Sequence, residues 1–244
     1  MPTEGDDLRR LSAARIFFSH HSVGGNLLAG LAALAASSGG PGLRLIPLAE
    51  AEETPGPGWV DGVGGQNGQP LGKLAFFAET IRTRPAVNPE LAFMKFCYVD
   101  FDPHTDVDGL FTAYRRTMTE LGAAYPRITF GHLTVPLTRR PRDARARLQR
   151  LLRRPVWEDD ANAKRLAFNE RLHDAFSDQP IFDLARHEST RPDGTRETFA
   201  AGTGVAYAMV PVYTDDGGHL NGVGRRVMAS HLLRFAAGAL GARK

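Results

Sequence analysis

Two short stretches, one near each end of the chain, carry residue types that can break an acyl bond. The first is His20-His21-Ser22-Val23-Gly24-Gly25. Here a serine follows an apolar, β-prone run (Ile16, Phe17, Phe18) and precedes an apolar helical pattern through Leu27, Leu28, Leu31 and Leu34. A strand, a tight turn and a helix put Ser22 at the carboxyl end of the strand, beside the free N–H groups and positive dipole end of a helix. A serine there can attack a carbonyl and have the oxyanion held by backbone, and the simpler role for the same residue is to N-cap the helix. The second stretch is Asp216-Gly217-Gly218-His219, just before a closing helical pattern. An Asp-x-x-His turn can bring the carboxylate onto the imidazole Nδ1–H, fixing the tautomer so that Nε2 is free to take a proton from a hydroxyl. An Asp/Gly turn also caps helices without any chemistry.

For residues so far apart to meet, the chain between them must gather strand ends. After the first helix, residues 37–42 are a turn cluster, and Leu43 to Leu48 reads as a second strand. Residues 54–72 (TPGPGWVDGVGGQNGQPLG) are so rich in Gly and Pro that they are expected to be one long loop. Helical spacing returns through Leu74, Phe77, Ala78 and Ile81, and Leu91 to Val99 is a nearly continuous apolar run, as in a strand covered on both faces. A helix through Leu110, Phe111, Tyr114, Met118 and Leu121 leads to a fourth strand, Ile128 to Val135. Ala161 to Phe176 reads as a helix with apolar Ala163, Leu166, Ala167 and Leu172, Ile181 to Leu184 as a short fifth strand, and Arg186 to Gly204 as a polar loop. The expected fold is α/β: a three-layer α/β/α sandwich around a flavodoxin-like, parallel five-stranded sheet in order 2-1-3-4-5. Residues 15–244 are expected to form a single domain after a flexible N-terminal segment, 1–14. An Arg-rich helical insertion falls at about 137–156, either a solvated face or a lid that recognises an anionic substrate.

With 244 residues and 42% hydrophobic content the chain can bury a full core. Thirty basic residues against 27 acidic ones do not make a nucleic-acid binder, because the excess is confined to the insertion and lacks aromatic interleaving. The single cysteine, Cys97, excludes an intrachain disulfide. No apolar run approaches the roughly 18 residues of a membrane span, and the polar N-terminus is not a signal peptide, so the chain as given is expected to be cytoplasmic, or secreted if a leader has been removed. His20, His21, Asp100, Asp102, His104 and His219 include metal-ligating types, but no HExxH or CxxC spacing supports a metal site. No metal and no cofactor are expected.

A serine near the N-terminus, an Asp-x-x-His near the C-terminus and a 2-1-3-4-5 sheet between them resemble the SGNH hydrolases, also called GDSL-type esterases and lipases. The resemblance runs from about Arg15 to Phe235 and is carried best by HSVGGN and DGGHLNGVG. It implies Ser22 as nucleophile, His219 as general base and then acid, and Asp216 as its orienting residue. Asp215, four residues from the histidine, is the poorer match. The family's glycine block falls in GGQNGQP, so that Gly65 or Gly68 would give an oxyanion amide and Asn67 a side-chain donor. Two departures stand out. His20-His21 replaces the family's Gly-Asp before the serine, so that His21 would polarise the site or contact substrate while His20 points back into the fold. Where the family writes Gly-x-Asn-Asp, this chain has Cys97-Tyr98-Val99-Asp100, so that Asp100 fits but the oxyanion asparagine is missing. Asn67, Lys95 or Tyr98 are the candidate replacements.

The resulting expectation is a serine esterase or deacylase acting on a small polar or carbohydrate-like ester, with no nucleic-acid or membrane partner. An acyltransferase using the same triad and a non-catalytic module on the same fold are the alternatives.

Overall fold

Strand β1 (Arg15–Ser19) is buried along its whole length, because every residue of RIFFS meets a helix layer on one side or the other. The computed structural model describes residues 3–39, 42–201 and 204–242. Expectations that touch residues 1–2, 40–41, 202–203 and 243–244, including parts of the 37–42 turn and the 186–204 loop, lie there outside the described residues. The sheet adds β2 (Leu45–Pro47), β3 (Gly58–Gly62), β4 (Leu91–Met94), β5 (Thr129–Leu133) and β6 (Ile181–Phe182), in the order β2-β3-β1-β4-β5-β6. All neighbours are parallel.

Alternation along β1 divides the core. Ile16 and Phe18 face α1 (Glu4–Ala13), α2 (Val23–Ser37) and α8 (Gly222–Gly241). Phe17 faces α3 (Pro70–Thr83), α4 (Val107–Ala124) and α6 (Trp157–Ala175). The result is the expected three-layer sandwich. Register matters more for the site than size does. Ser19 pairs with Gly62 of β3 and with Met94 of β4, so the segments after these three strands leave the sheet at one level.

Three expectations are corrected. The 54–72 segment is not wholly loop: Trp59 and Val60 are fully buried within β3, a sixth strand inserted between the second and first of the expected order. Residues 4–13 are not a flexible tail but helix α1, closed by a Thr3–Asp6 capping box and anchored by fully buried Leu8 and Leu11. The 186–204 segment carries the end of α7 (Leu184–Glu188) and β7 (Thr198–Ala201), which pairs antiparallel with β8 (Gly204–Tyr207). The insertion does contain a helix, α5 (Ala144–Leu151), which exposes Leu148 and Leu151 as well as arginines. Among the described residues no helix is long and apolar enough to cross a membrane.

Glu188, at the end of α7, is wholly buried: Oε2 accepts from the Leu137 amide at 2.8 Å, while Oε1 has no partner among the described residues. Burial pushes its carboxyl up to about 8. A folded value above the unfolded one, ordinarily about 4.3, gives a contribution that is complete below that value and lost as pH rises toward 8. Urea unfolding of Glu188→Gln, which keeps an acceptor for Leu137, is therefore expected to show a variant whose stability relative to wild type grows from pH 5 to pH 8. A pH-independent difference would contradict the assignment.

Candidate active site

Ser22 is the N-cap residue of α2, yet its side chain makes no capping bond. The hydroxyl is turned to His219 instead, with Oγ 2.5 Å from Nε2. The backbone there has φ +53° and ψ −105°, a conformation that costs a non-glycine residue on the order of 1–3 kcal/mol and persists only where surrounding structure imposes it. On the far side of the imidazole, Nδ1 lies 2.6 Å from Asp216 Oδ2. The other carboxylate oxygen accepts from the amides of Gly218 at 2.9 Å and His219 at 2.8 Å, and from the Thr214 hydroxyl at 3.2 Å. These amide bonds, with the His219 ring, hold the Asp216 carboxyl well below the usual carboxylate range. An acceptor that stays ionised makes Nδ1 the donor and leaves Nε2 to accept from Ser22. Asp215 is not part of this chain of bonds: it accepts from the Asn221 side chain at 3.0 Å.

Both ends of the chain are clamped so that the contact can form. Asn26, in the first turn of α2, accepts from the Leu220 amide at 3.1 Å, tying the helix that Ser22 opens to the residue after His219. Farther along, a Cβ on Gly30 would come within 2.5 Å of the Arg225 carbonyl, so this glycine permits the close approach of α2 and α8.

The loop between β3 and α3 borders the same site. His21 Nε2 donates to the Gly64 carbonyl at 2.9 Å, joining the serine's turn to this loop. Its scaffold is a buried ion pair: Lys73 Nζ donates to both oxygens of Asp100 at 2.8 and 2.7 Å. Asp100 also accepts from the amides of Gly68 at 2.8 Å and Cys97 at 2.6 Å. The third Lys73 bond goes to Asn67 Oδ1 at 2.8 Å, which turns the Asn67 amide nitrogen away from the lysine.

No protein-family model and no curated protein matches this sequence. Solved structures do match in shape. A lipase/acylhydrolase from Enterococcus faecalis is 15% identical, with 92% of this chain and 96% of that chain covered at a TM-score of 0.52. An acetyl xylan esterase, AlAXEase, is 14% identical, covering 90% and 98% at 0.51. A protein described as lipolytic and of the G-D-S-L family, from Desulfitobacterium hafniense DCB-2, is 9% identical, covering 91% and 99% at 0.50. The chain has the GDSL, or SGNH, hydrolase fold.

Within that fold the structure brings together Ser22, Asp216 and His219 and redistributes the other expected residues. Gly68 spends its amide on Asp100, so it is not an oxyanion donor. Asp100 is buried and fully engaged, which makes it a scaffold for the SGNH loop rather than a substrate contact. His21 is committed through Nε2 to Gly64 and so braces the loop. Gly65, at φ +75° and where an added Cβ would come within 2.9 Å of Lys73, keeps an amide with no partner among the described residues. Of the candidates for the missing asparagine, Lys95 is fully buried, donating to the Phe96 carbonyl and Cys97 Sγ, and Tyr98 packs edge-on at 5.7 Å from the His219 ring. Asn67 alone among them is exposed beside the loop. His20 points into the fold as expected, 4% exposed with Nε2 2.9 Å from Asp61 Oδ1 but off the line of a hydrogen bond. Burial pushes its imidazole down despite that carboxylate. Among the described residues no three metal-ligating side chains stand together.

Lys73, Asn26 and Thr214 were not singled out from sequence. Lys73 had a signal: it lies on the same helical stripe as Phe77 and Ile81, where a charge needs a buried partner. Removing one member of a buried pair typically costs about 3–5 kcal/mol. Chemical denaturation of Lys73→Met is expected to show a loss of that order, recovered in part when Asp100→Asn, which removes the unpaired charge and keeps an acceptor oxygen, is added. A loss below about 1 kcal/mol, the range of exposed pairs, would show that the pair does not hold the loop.

Proposed function

We propose that this protein is a serine hydrolase of the SGNH type that cleaves esters through an acyl-enzyme on Ser22. The observation that carries this reading is the 2.5 Å contact between Ser22 Oγ and His219 Nε2, made by a serine that forgoes its capping bond. Ser22 Oγ attacks the ester carbonyl carbon while His219 Nε2 takes the hydroxyl proton, and Asp216 orients and stabilises the imidazolium. The tetrahedral oxyanion is held by the Gly65 amide and by the Asn67 side chain, whose amide nitrogen is freed by the Lys73 bond to Oδ1. Collapse breaks the C–O bond to the alcohol, which leaves with the proton from Nε2. Water, activated by the same imidazole, then attacks the acyl-enzyme, and the proton returns to Ser22 as the acid departs.

A small polar or carbohydrate-like ester is the proposed substrate. The cleft that reaches the site at Asp216, Gly217 and Gly218, about 550 Å³, is walled by Arg139, Arg142, Asp143 and Glu158, which suits a hydrated substrate better than an acyl chain. A likeness to an acetyl xylan esterase agrees with that choice.

The test is a screen of p-nitrophenyl acetate, butyrate and octanoate beside acetylated sugars, with Ser22→Ala as blank. Turnover is expected to favour the short esters and to fall by about 10³-fold or more in Ser22→Ala. Asn67→Ala is expected to lower kcat by about 10²–10³-fold with KM little changed, as for loss of one oxyanion donor. Equal turnover by wild type and Ser22→Ala would overturn the mechanism. An unchanged kcat in Asn67→Ala would remove Asn67 from it.

A further inference from the structure

The arginines around the insertion are not equivalent. Arg140 and Arg150 both make two-bonded contacts with Asp159, Arg142 pairs with Glu197 at 3.4 Å, and Arg165 is buried on the carbonyls of Tyr98 and Phe101. Arg139 differs from all of these: its guanidinium has no hydrogen bond or ion pair among the described residues. It is not a loose surface side chain, for it is half-buried in the cleft and its main-chain amide donates to the Gly217 carbonyl at 2.8 Å. That bond fastens Arg139 to the very turn that carries Asp216 and His219. The guanidinium lies over Gly217, where an added Cβ would be 3.9 Å from Nε.

A second unspent donor shares the cleft. Tyr98 lines the cleft and donates its hydroxyl to no described residue, and its ring packs edge-on against the His219 imidazole, 5.7 Å from centroid to centroid. Asp216 makes no hydrogen bond or ion pair with Arg139: its Oδ1 accepts from Thr214, Gly218 and the His219 amide, and its Oδ2 faces the His219 ring. A planar guanidinium and a hydroxyl that line one cleft, neither with a partner among the described residues, suit a carboxylate-like oxyanion. The other lining carboxylates, Asp143 and Glu158, would repel a dianion, which favours a singly charged group.

We infer that the cleft is a specificity site for a substrate carrying a carboxylate, held by Arg139 and Tyr98 while the ester lies at Ser22. The inference rests on the ester-hydrolase reading above and narrows its substrate class to acidic esters. The acid can belong to the acyl part or to the alcohol, and the two positions are separable by experiment.

The probes are the mono-p-nitrophenyl esters of glutarate and adipate, with the carboxylate on the acyl side, and 4-acetoxybenzoate, with it on the alcohol side. Their neutral counterparts are p-nitrophenyl butyrate and phenyl acetate. At least one acidic ester is expected to exceed its neutral counterpart in kcat/KM by about tenfold or more, the scale of one charge-assisted hydrogen bond. Arg139→Gln is expected to bring that ratio to about one, chiefly through KM, with Arg139→Lys keeping part of it. A ratio near one in wild type for every pair, or one that survives Arg139→Gln, overturns the inference while leaving the hydrolase intact. If no ester is turned over by folded protein, the hydrolase reading fails, and calorimetry with the singly charged monomethyl glutarate and with inorganic phosphate then decides the site. Monomethyl glutarate binding lost in Arg139→Gln upholds a carboxylate site. Phosphate binding in preference to monomethyl glutarate, or no binding of either, overturns it.

Discussion

The packing of α2 against α8 is the constraint on which the rest depends. The two helices carry, at their adjoining ends, residues 197 positions apart in the chain that must come within hydrogen-bonding reach. Gly30 lets the helix backbones approach, and buried Leu27, Leu31, Met228 and Leu232 supply the apolar contact that holds them there. The Asn26–Leu220 bond then sets the remaining degree of freedom, the height of the final turn relative to the start of α2. Strain at Ser22 is sustained by this packing rather than relieved. A serine free to relax would take up its ordinary cap and lose the histidine.

Beneath that contact lies a polar framework forced by the topology. Where parallel strands end and the chain turns away, backbone groups lose their ladder partners and must be satisfied by other means. After β5, Asn169 takes both the amide and the carbonyl of Val135, and Asn162 does the same for Thr138. Arg165 closes off the carbonyls after β4. After β3 the role falls to Asp100 and Lys73. Buried polar side chains therefore concentrate at the functional end of the sheet, and this is what makes its loops rigid enough to hold Ser22, Asn67 and His219 in fixed relation.

How much of this was legible in the sequence follows from how local each signal is. β1, β4 and β5 are apolar runs covered on both faces and announce themselves. β3 does not, because its five residues include two glycines and an aspartate, and only Trp59 and Val60 mark it as core. α1 buries just two leucines, so its Thr3–Asp6 cap was the better signal. The face of α6 was misjudged in part, for a physical reason: beside the apolar Phe168 and Leu172 its inward residues include Asn162, Arg165 and Asn169, polar groups serving unpaired backbone, while Ala163, Leu166 and Ala167 are only half-buried. Ser22, Asp216 and His219, which the structure brings together, stood out because each stretch carries its own chemistry. Their supports did not, since Lys73 and Asp100 are 27 residues apart and neither makes sense without the other.

The departures from the family pattern are consistent with one another. Replacing Gly-Asp by His20-His21 gives a residue that braces the glycine loop through Gly64, and the Lys73 bond turns Asn67 so that its amide nitrogen is available. In the proposed mechanism, stabilisation of the oxyanion thus falls to the loop after β3 and not to the loop after β4.

The central claim is that the Ser22 hydroxyl is activated by the His219 imidazole. It is tested most directly by treating the protein with a fluorophosphonate and mapping the adduct by peptide mass spectrometry. The account predicts a single adduct on the peptide containing Ser22, absent from folded Ser22→Ala and His219→Ala proteins. An unlabelled but folded wild type, or labelling of Ser22 that persists at an undiminished rate in His219→Ala, would contradict it.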